Sequence, residues 1–225
     1  MKVKWGALIV DGRGKIGGQV ASKNGAGAYM KNKSTPTNPQ TMAQTLARAL
    51  FAVISAGWSS LTATQREAWN TAVPDWTKTD IFGDMKKPSG KSLYQRLNNQ
   101  AQSVGFSPVL NVPSRAALPN NPITEVLINT TTFIMTLTGA STSATDMVVV
   151  WGAAPVSAGT SNVKSKMRQV YSELGNAYDE TEAYSRYEAK FGEPVVGQHI
   201  FVGVKYVLAS GQASPLQIIK ATITA

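Results

Sequence analysis

A glycine-rich, basic stretch near the N-terminus limits most strongly what this chain can fold into. Residues 12–41 read GRGKIGGQVASKNGAGAYMKNKSTPTNPQT, with six glycines and no acidic residue. Glycine is costly to order, and like charges repel one another, so this stretch is poorly suited to folding alone. The sequence predicts that residues 1–37 form an extended, partly strand-like arm that becomes ordered against another component. Its basic residues are Arg13, Lys15, Lys23, Lys31 and Lys33.

The positive charge of the chain is concentrated in this arm. The net charge is +9, and residues 1–35 hold seven Lys or Arg against one acidic residue. Residues 111–225 hold eight of each sign. We therefore expect an anionic partner, either nucleic acid or an acidic protein surface, to meet the N-terminal part. The alternative is a solvated tail in which lysine serves only solubility.

The composition excludes several kinds of site and segment. With no cysteine, the chain has no disulfide and no thiolate for metal binding or nucleophilic attack. The apolar run Trp5–Val10 is too short for a typical signal peptide. No continuous apolar span reaches about 20 residues, so we expect no transmembrane helix. These features fit a protein that is made in the cytoplasm.

Residues 38–105 are predicted to form a small helical module. Asn38 and Pro39 suit an N-cap and a first helical position, and apolar residues then recur at spacings of three and four until Gly57. A second helix is predicted from a Thr62/Gln65 capping box to about Val73, burying Trp69. A third is predicted between Ser89 and Gly105. The apolar face of the first helix comprises Met42, Leu46, Ala49, Leu50, Val53 and Ile54.

A proline-containing linker is predicted at residues 106–121, followed by a β-domain at 122–225. Segments rich in β-branched and aromatic residues alternate there with Gly, Ser, Asn and Pro clusters. Their spacing is typical of an immunoglobulin-like or fibronectin type III β-sandwich, so the predicted fold class is α+β. Residues 180–191 break the pattern and are predicted as a short helix or a long loop. The predicted strands are 125–128, 131–138, 146–151, 164–171, 199–208 and 216–224.

No pattern in the sequence predicts catalysis, a cofactor or a metal. Gly90-Lys91-Ser92 resembles the end of a phosphate-binding loop, but Met85 stands where that loop needs glycine. The GRGKIGG segment lacks the strand–turn–helix setting of a dinucleotide site. His199 is the single histidine, and no spacing gives it a catalytic or zinc partner. The acidic residues Asp179, Glu180, Glu182, Glu188 and Glu193 lack a calcium-loop pattern and are predicted to be a solvated edge able to receive a basic arm.

The order of several motifs resembles the N-terminal half of tailed-phage virion structural proteins, most closely the auxiliary capsid proteins of crAss-like phages. The motifs are GKIGGQVASKN, GAYMKNK, TPTNPQT, LTATQREAW and SGKSLYQRLNNQ, within residues 12–105. The resemblance implies a non-enzymatic protein that binds between or upon major capsid subunits and stabilises the shell. It implies location in the virion and contacts with capsid protein, other virion subunits or further copies of itself.

The sequence thus favours a virion protein that lays its arm across neighbouring subunits. Two alternatives remain open, namely a virion protein whose basic arm binds nucleic acid and a glycan-binding surface module. The predicted partner-binding residues are Arg13, Lys15, Lys23, Tyr29, Lys31, Lys33, Trp58 and Trp69.

Overall fold

A computed structural model shows a mixed α+β protein, with four helices and several small antiparallel sheets among the residues that it describes. The chain divides into two compact units, Met1–Ala47 with Thr77–Lys87 and Arg48–Trp76 with Pro88–Ala225. The α+β class predicted from the sequence is therefore confirmed, while the predicted domain boundaries stay predictions. The described residues are 12–25, 27–35, 37–80, 82–118, 123–137, 146–157, 159–175 and 180–224.

The N-terminal stretch forms a three-stranded antiparallel sheet instead of one continuous extension. The strands pair in the order β1-β2-β3, so the chain reverses direction twice between residues 14 and 32. Glycine permits both reversals, because Gly17 and Gly27 have φ of +56° and +107°. A second small hairpin, β4-β5, belongs to the same unit. The strands are β1 Gly14–Ile16, β2 Gln19–Asn24, β3 Gly27–Asn32, β4 Lys78–Thr79 and β5 Met85–Lys86.

The first helix, α1, spans Met42–Ser60, and the prediction that Asn38 caps it is wrong. The hydroxyl of Thr41 accepts a hydrogen bond from the Gln44 amide at 3.4 Å, and this places the start of the helix after Thr41. Gly57 does not end the helix. A Cβ at Gly57 would lie 2.8 Å from the Tyr94 hydroxyl oxygen, so the glycine permits close approach of another side chain.

Helices α2 (Ala63–Thr71) and α3 (Gly90–Ser103) begin as the sequence predicts. Thr62 and Gln65 form the capping box of α2, and the Ser89 hydroxyl caps α3. Apolar residues of the three helices then meet in one core. Its fully or nearly fully buried members are Ile54, Leu61, Trp69, Leu93, Tyr94 and Leu97.

The C-terminal part contains a four-stranded antiparallel sheet in the order β11-β10-β8-β9 and a separate β6-β7 pair. One parallel bridge between Ile128 and Ile223 links the two sheets. The fourth helix, α4 (Glu180–Phe191), contacts β7 and β9, so it covers the shared core from a position between these two strands. The remaining strands are β6 Ile123–Ile128, β7 Phe133–Leu137, β8 Asp146–Gly152, β9 Arg168–Leu174, β10 His199–Leu208 and β11 Gln217–Thr222.

One apolar core joins all six of these strands to α4. Tyr187 of α4 is completely buried, contacts Phe133 of β7 and donates its hydroxyl proton to the Ala153 carbonyl at 2.7 Å. The strands predicted at 125–128, 131–138, 146–151, 199–208 and 216–224 are confirmed to within a few residues, whereas only the second half of the predicted strand 164–171 belongs to β9. Residues 180–191 adopt the helical alternative. The immunoglobulin-like or fibronectin type III sandwich stays a prediction, because the structure shows the sheets without a sandwich.

Side-chain amides hold the proline-containing segment against the helices and the sheet. Asn98 of α3 is completely buried, and its amide exchanges two hydrogen bonds with the backbone of Val109, at 2.8 and 3.0 Å. Gln212, after β10, accepts from the Ala116 amide and donates to the Ser114 carbonyl. Hydrogen bonds therefore join the backbone of Val109 to α3, and the backbones of Ser114 and Ala116 to the segment that follows β10.

Lys205 of β10 is expected to make the folding stability depend on pH in the alkaline range. Burial lowers the pKa of its ammonium group from the ordinary value of 10.5, because the charged form loses hydration. In the interval between the folded and unfolded pKa values the unfolded chain binds more protons, so stability should increase with pH. We expect Lys205→Met to raise the urea midpoint at pH 7, and the advantage of this variant over the wild type to shrink as pH rises towards 10.5. The comparison removes the effect of the buried tyrosines, which both proteins share. A difference between the two midpoints that does not change with pH would contradict the assignment.

Candidate functional site: two exposed surfaces

The strand register of the N-terminal sheet separates its residues into two faces. Directly opposite residues in antiparallel strands share a face, and successive residues alternate between faces. Val20 lies between Lys15 of β1 and Lys31 of β3, while Ser22 lies opposite Tyr29. Lys33 continues the same face, because its amide donates to the Gly18 carbonyl at 2.7 Å. We call this surface the basic face; it consists of Lys15, Val20, Ser22, Asn24, Tyr29, Lys31 and Lys33.

The three lysines of the basic face are exposed, whereas Val20, Ser22 and Tyr29 are half-buried. Arg13 precedes β1 and is also exposed. Lys23 lies on the opposite face of the sheet, across from Ala28. That second face is more apolar and includes Ala21, which is buried, and Met30, which is half-buried. The structure thus brings together four of the predicted residues, Lys15, Tyr29, Lys31 and Lys33.

A row of apolar side chains on α1 forms the second surface. Met42, Leu46, Ala49 and Val53 follow one another at spacings of four, three and four, which places them along one line on the helix. The side chains of Met42, Leu46 and Val53 are 74%, 62% and 63% exposed. We call these four residues the apolar edge of α1. The neighbouring row, which includes Leu50 and Ile54, packs into the helical core.

The sequence periodicity predicted one apolar face on α1, and the structure divides that face into a packed row and an exposed row. The width of the apolar surface in the sequence of α1 already indicated that this surface would be divided. The apolar residues of α1 cover more than the roughly 100° stripe that a helix needs for a single core contact. Apolar patches of this kind on a protein surface commonly mark sites of interaction.

The two predicted tryptophans lie in the helical core. Trp69 has no exposed surface, and its indole N–H donates to the Leu110 carbonyl at 2.9 Å. Trp58 is half-buried and contacts the Tyr94 ring, with 5.5 Å between ring centroids. Trp69 therefore has no surface with which to contact a partner in this structure, and Trp58 has only part of one.

An open groove lies along α2 and the residues that follow it, and the sequence analysis did not predict it. It is lined by small side chains, including Ala63, Ala68 and Ala72, together with the carboxylates of Glu67 and Asp75. The groove has a volume of about 850 Å³.

Gly90 and His199 both contact neighbouring elements of the fold. Gly90 of the Gly90-Lys91-Ser92 segment lies against α2, since a Cβ there would be 2.9 Å from the Asn70 backbone nitrogen. The Nδ1 atom of His199 is 3.0 Å from the Thr222 hydroxyl on the adjacent strand. Within the described ranges, no group of three His, Asp or Glu side chains could hold a metal ion. Asp179 of the acidic run lies outside the described residues.

Comparison with known proteins identifies no relative. Neither protein-family models, nor curated proteins, nor solved structures match this chain. Among the described residues, no single helix is long and apolar enough to cross a membrane. The pair α1 and α2 reaches that length and composition only with a bend of 109° between its members.

Proposed function

We propose that this chain is a non-enzymatic structural protein of a tailed-phage virion that binds and stabilises the capsid shell. The observation that carries the proposal is the apolar edge of α1, where three large side chains are more than half exposed. The motif order within residues 12–105 supports the choice of a virion protein. The contacts would be made with the major capsid protein and neighbouring virion subunits.

The chemistry of the apolar edge fits insertion of a helix into a groove on a partner. Side chains at i, i+4, i+7 and i+11 present one line of anchors to such a groove. Full burial of one Met, Leu or Val side chain contributes about 1.5–3 kcal/mol, so three would contribute several kcal/mol before the cost of association. That cost makes a second contact with the shell valuable, and the face of the N-terminal sheet opposite the basic face would provide one.

The proposal also includes the fold and the role predicted for the C-terminal part of the chain. Residues 122–225 would form an immunoglobulin-like or fibronectin-type module that decorates the shell, with the six described strands and α4 as its core. A glycan-binding role for this module is an alternative that rests on analogy of fold alone.

A sedimentation experiment tests the proposal. Shells assembled from the major capsid protein of a crAss-like phage are mixed with the full chain, pelleted and analysed for bound protein. We expect the wild type to bind and Leu46→Gln/Val53→Gln to bind at least tenfold more weakly, because the anchors of the apolar edge become polar. Substitution at these exposed sites should change the free energy of unfolding by no more than about 0.5 kcal/mol per site.

Val195→Gln/Val196→Gln provides the matched control, since these valines are 54% and 52% exposed and belong to the segment between α4 and β10 instead of to α1. This control should bind as the wild type does. Protease cleavage within residues 12–35 should also slow when shells are present. Equal loss of binding in both double variants, or no binding by the wild type, would refute the proposal.

A further inference from the structure

The N-terminal sheet concentrates positive charge on one of its two faces. The basic face holds three exposed lysines, and residues 12–47 contain no acidic side chain. The acidic side chains in the other segment of this unit are Asp80 and Asp84, and Asp80 pairs with Lys86 at 3.9 Å. Lys15 and Lys31 lie on strands either side of β2, which places their backbones about 10 Å apart. Lys31 and Lys33 lie two residues apart along one direction, about 7 Å. The lysines therefore form a two-dimensional array and not a single point of charge.

The other side chains of the basic face also match phosphate better than protein. Phosphate and sugar contacts in nucleic-acid complexes are made by Lys and Arg, by Ser and Tyr hydroxyls, and by backbone N–H groups. Ser22 and Tyr29 lie opposite each other on the basic face and supply such hydroxyls. Protein–protein interfaces, in contrast, are depleted in lysine and enriched in buried apolar anchors. Val20 is the one aliphatic side chain of this face, and it is half-buried already.

We propose that the basic face binds the phosphate backbone of nucleic acid without reading its sequence. This binding site is separate from the apolar edge of α1 and does not rest on the proposed contact with the shell. Base edges are read by bidentate contacts, from Arg or Lys to guanine and from Asn or Gln to adenine. The paired rows of the face hold no Arg and one such amide, Asn24 at the turn end of β2, so we assign its lysines to phosphate and not to bases. A shell protein with such a face would hold genome and capsid with two different surfaces.

Fluorescence anisotropy with the full chain tests the site, using a 20-base-pair DNA duplex of mixed sequence as the probe. The dissociation constant is measured from 25 to 200 mM NaCl for the wild type and for Lys15→Gln/Lys31→Gln/Lys33→Gln. Each lost phosphate contact lowers the slope of log affinity against log salt by about 0.9. We expect the triple variant to bind at least tenfold more weakly at 50 mM salt, with a slope reduced by about 2–3.

A variant with the same change in net charge separates a site from general attraction. Lys91→Gln/Lys164→Gln/Lys166→Gln removes three exposed lysines that lie outside the N-terminal sheet. This control should retain the wild-type slope, and circular dichroism should show the same melting midpoint for both triple variants. Equal decreases in slope for the two triple variants would overturn the proposal, because net charge alone would then explain the binding. Absence of any wild-type binding at 25 mM salt would overturn it as well.

The same assay distinguishes nucleic acid from an acidic protein surface. Poly-L-glutamate, matched in total charge to the duplex, serves as the competitor. We expect it to displace the duplex at least tenfold less effectively than unlabelled DNA does. Displacement at equal or lower concentration would overturn the proposal in favour of an acidic protein partner. In either case the binding of the chain to capsid shells is measured separately, so failure of one proposal does not decide the other.

Discussion

Replacing Trp69 with alanine is expected to lower the free energy of unfolding by about 3–5 kcal/mol, the range found when a large aromatic is removed from a core. Trp69 has no exposed surface, and its ring meets Tyr94 edge to face, with 5.4 Å between centroids. Its N–H also donates to the Leu110 carbonyl, so the substitution leaves that acceptor without its partner. Urea titration followed by far-UV circular dichroism measures the loss.

Two further variants separate the causes of this loss. Trp69→Phe keeps much of the apolar volume but removes the N–H, so it should cost less than Trp69→Ala. The lost hydrogen bond should account for about 1 kcal/mol of that cost, because Leu110 is 48% exposed. Trp58→Ala should cost less than Trp69→Ala, because Trp58 is only half-buried. A Trp69→Ala variant as stable as the wild type, or one less harmful than Trp58→Ala, would contradict the assignment of Trp69 to the core.

The sequence predicted those parts of the fold that short-range chemistry determines. The caps of α2 and α3 depend on residues three positions apart, and both occur where Thr62/Gln65 and Ser89 stand. The start of α1 was predicted wrongly because Asn38, Pro39 and Thr41 offer competing signals within four residues. Only the conformation of the intervening chain decides among them, and Gln40 has a φ of +48° there.

Long-range contacts account for what the sequence could not predict. Nothing local to Asn98 indicates that its amide binds Val109, and nothing local to Gln212 indicates its contacts with Ser114 and Ala116. Gly57 and Gly90 were interpreted as a helix end and a helix start, although each also permits close approach of a distant group. The same limit applies to the candidate surfaces. The lysines were visible in the sequence, but their arrangement on one face needed the strand register.

Gly211 is expected to tolerate no side chain, and its substitution is expected to have the second of the two largest effects. It has a φ of +76°, and a Cβ there would lie 2.6 Å from the Leu97 carbonyl carbon and closer still to its oxygen. Backbone cannot move aside as the end of a flexible side chain can. Gly211→Ala should combine about 1–2 kcal/mol for the left-handed conformation with a further 1–3 kcal/mol or more for overpacking.

Gly197→Ala is the matched control, because Gly197 has a φ of +84° but no atom lies within 4 Å of the position that the new methyl group would take. It should show only the conformational part, about 1–2 kcal/mol. The difference between the two variants in urea titrations measures the cost of placing a methyl group between the turn that follows β10 and the Leu97 backbone of α3. Equal costs would contradict the close approach of these two segments.

The consequence of Gly211→Ala should extend into the helical core. Leu97, whose backbone meets Gly211, is itself a buried member of the cluster that contains Trp69 and Tyr94. A displaced α3 would therefore disturb the helices as well as the sheet. We expect the fluorescence of the five tryptophans, which include Trp58, Trp69 and Trp76 as well as Trp151 of β8, to show one unfolding transition that shifts as a whole. A biphasic transition in which only the later phase is shifted would indicate instead that residues 38–105 and 122–225 unfold as independent domains.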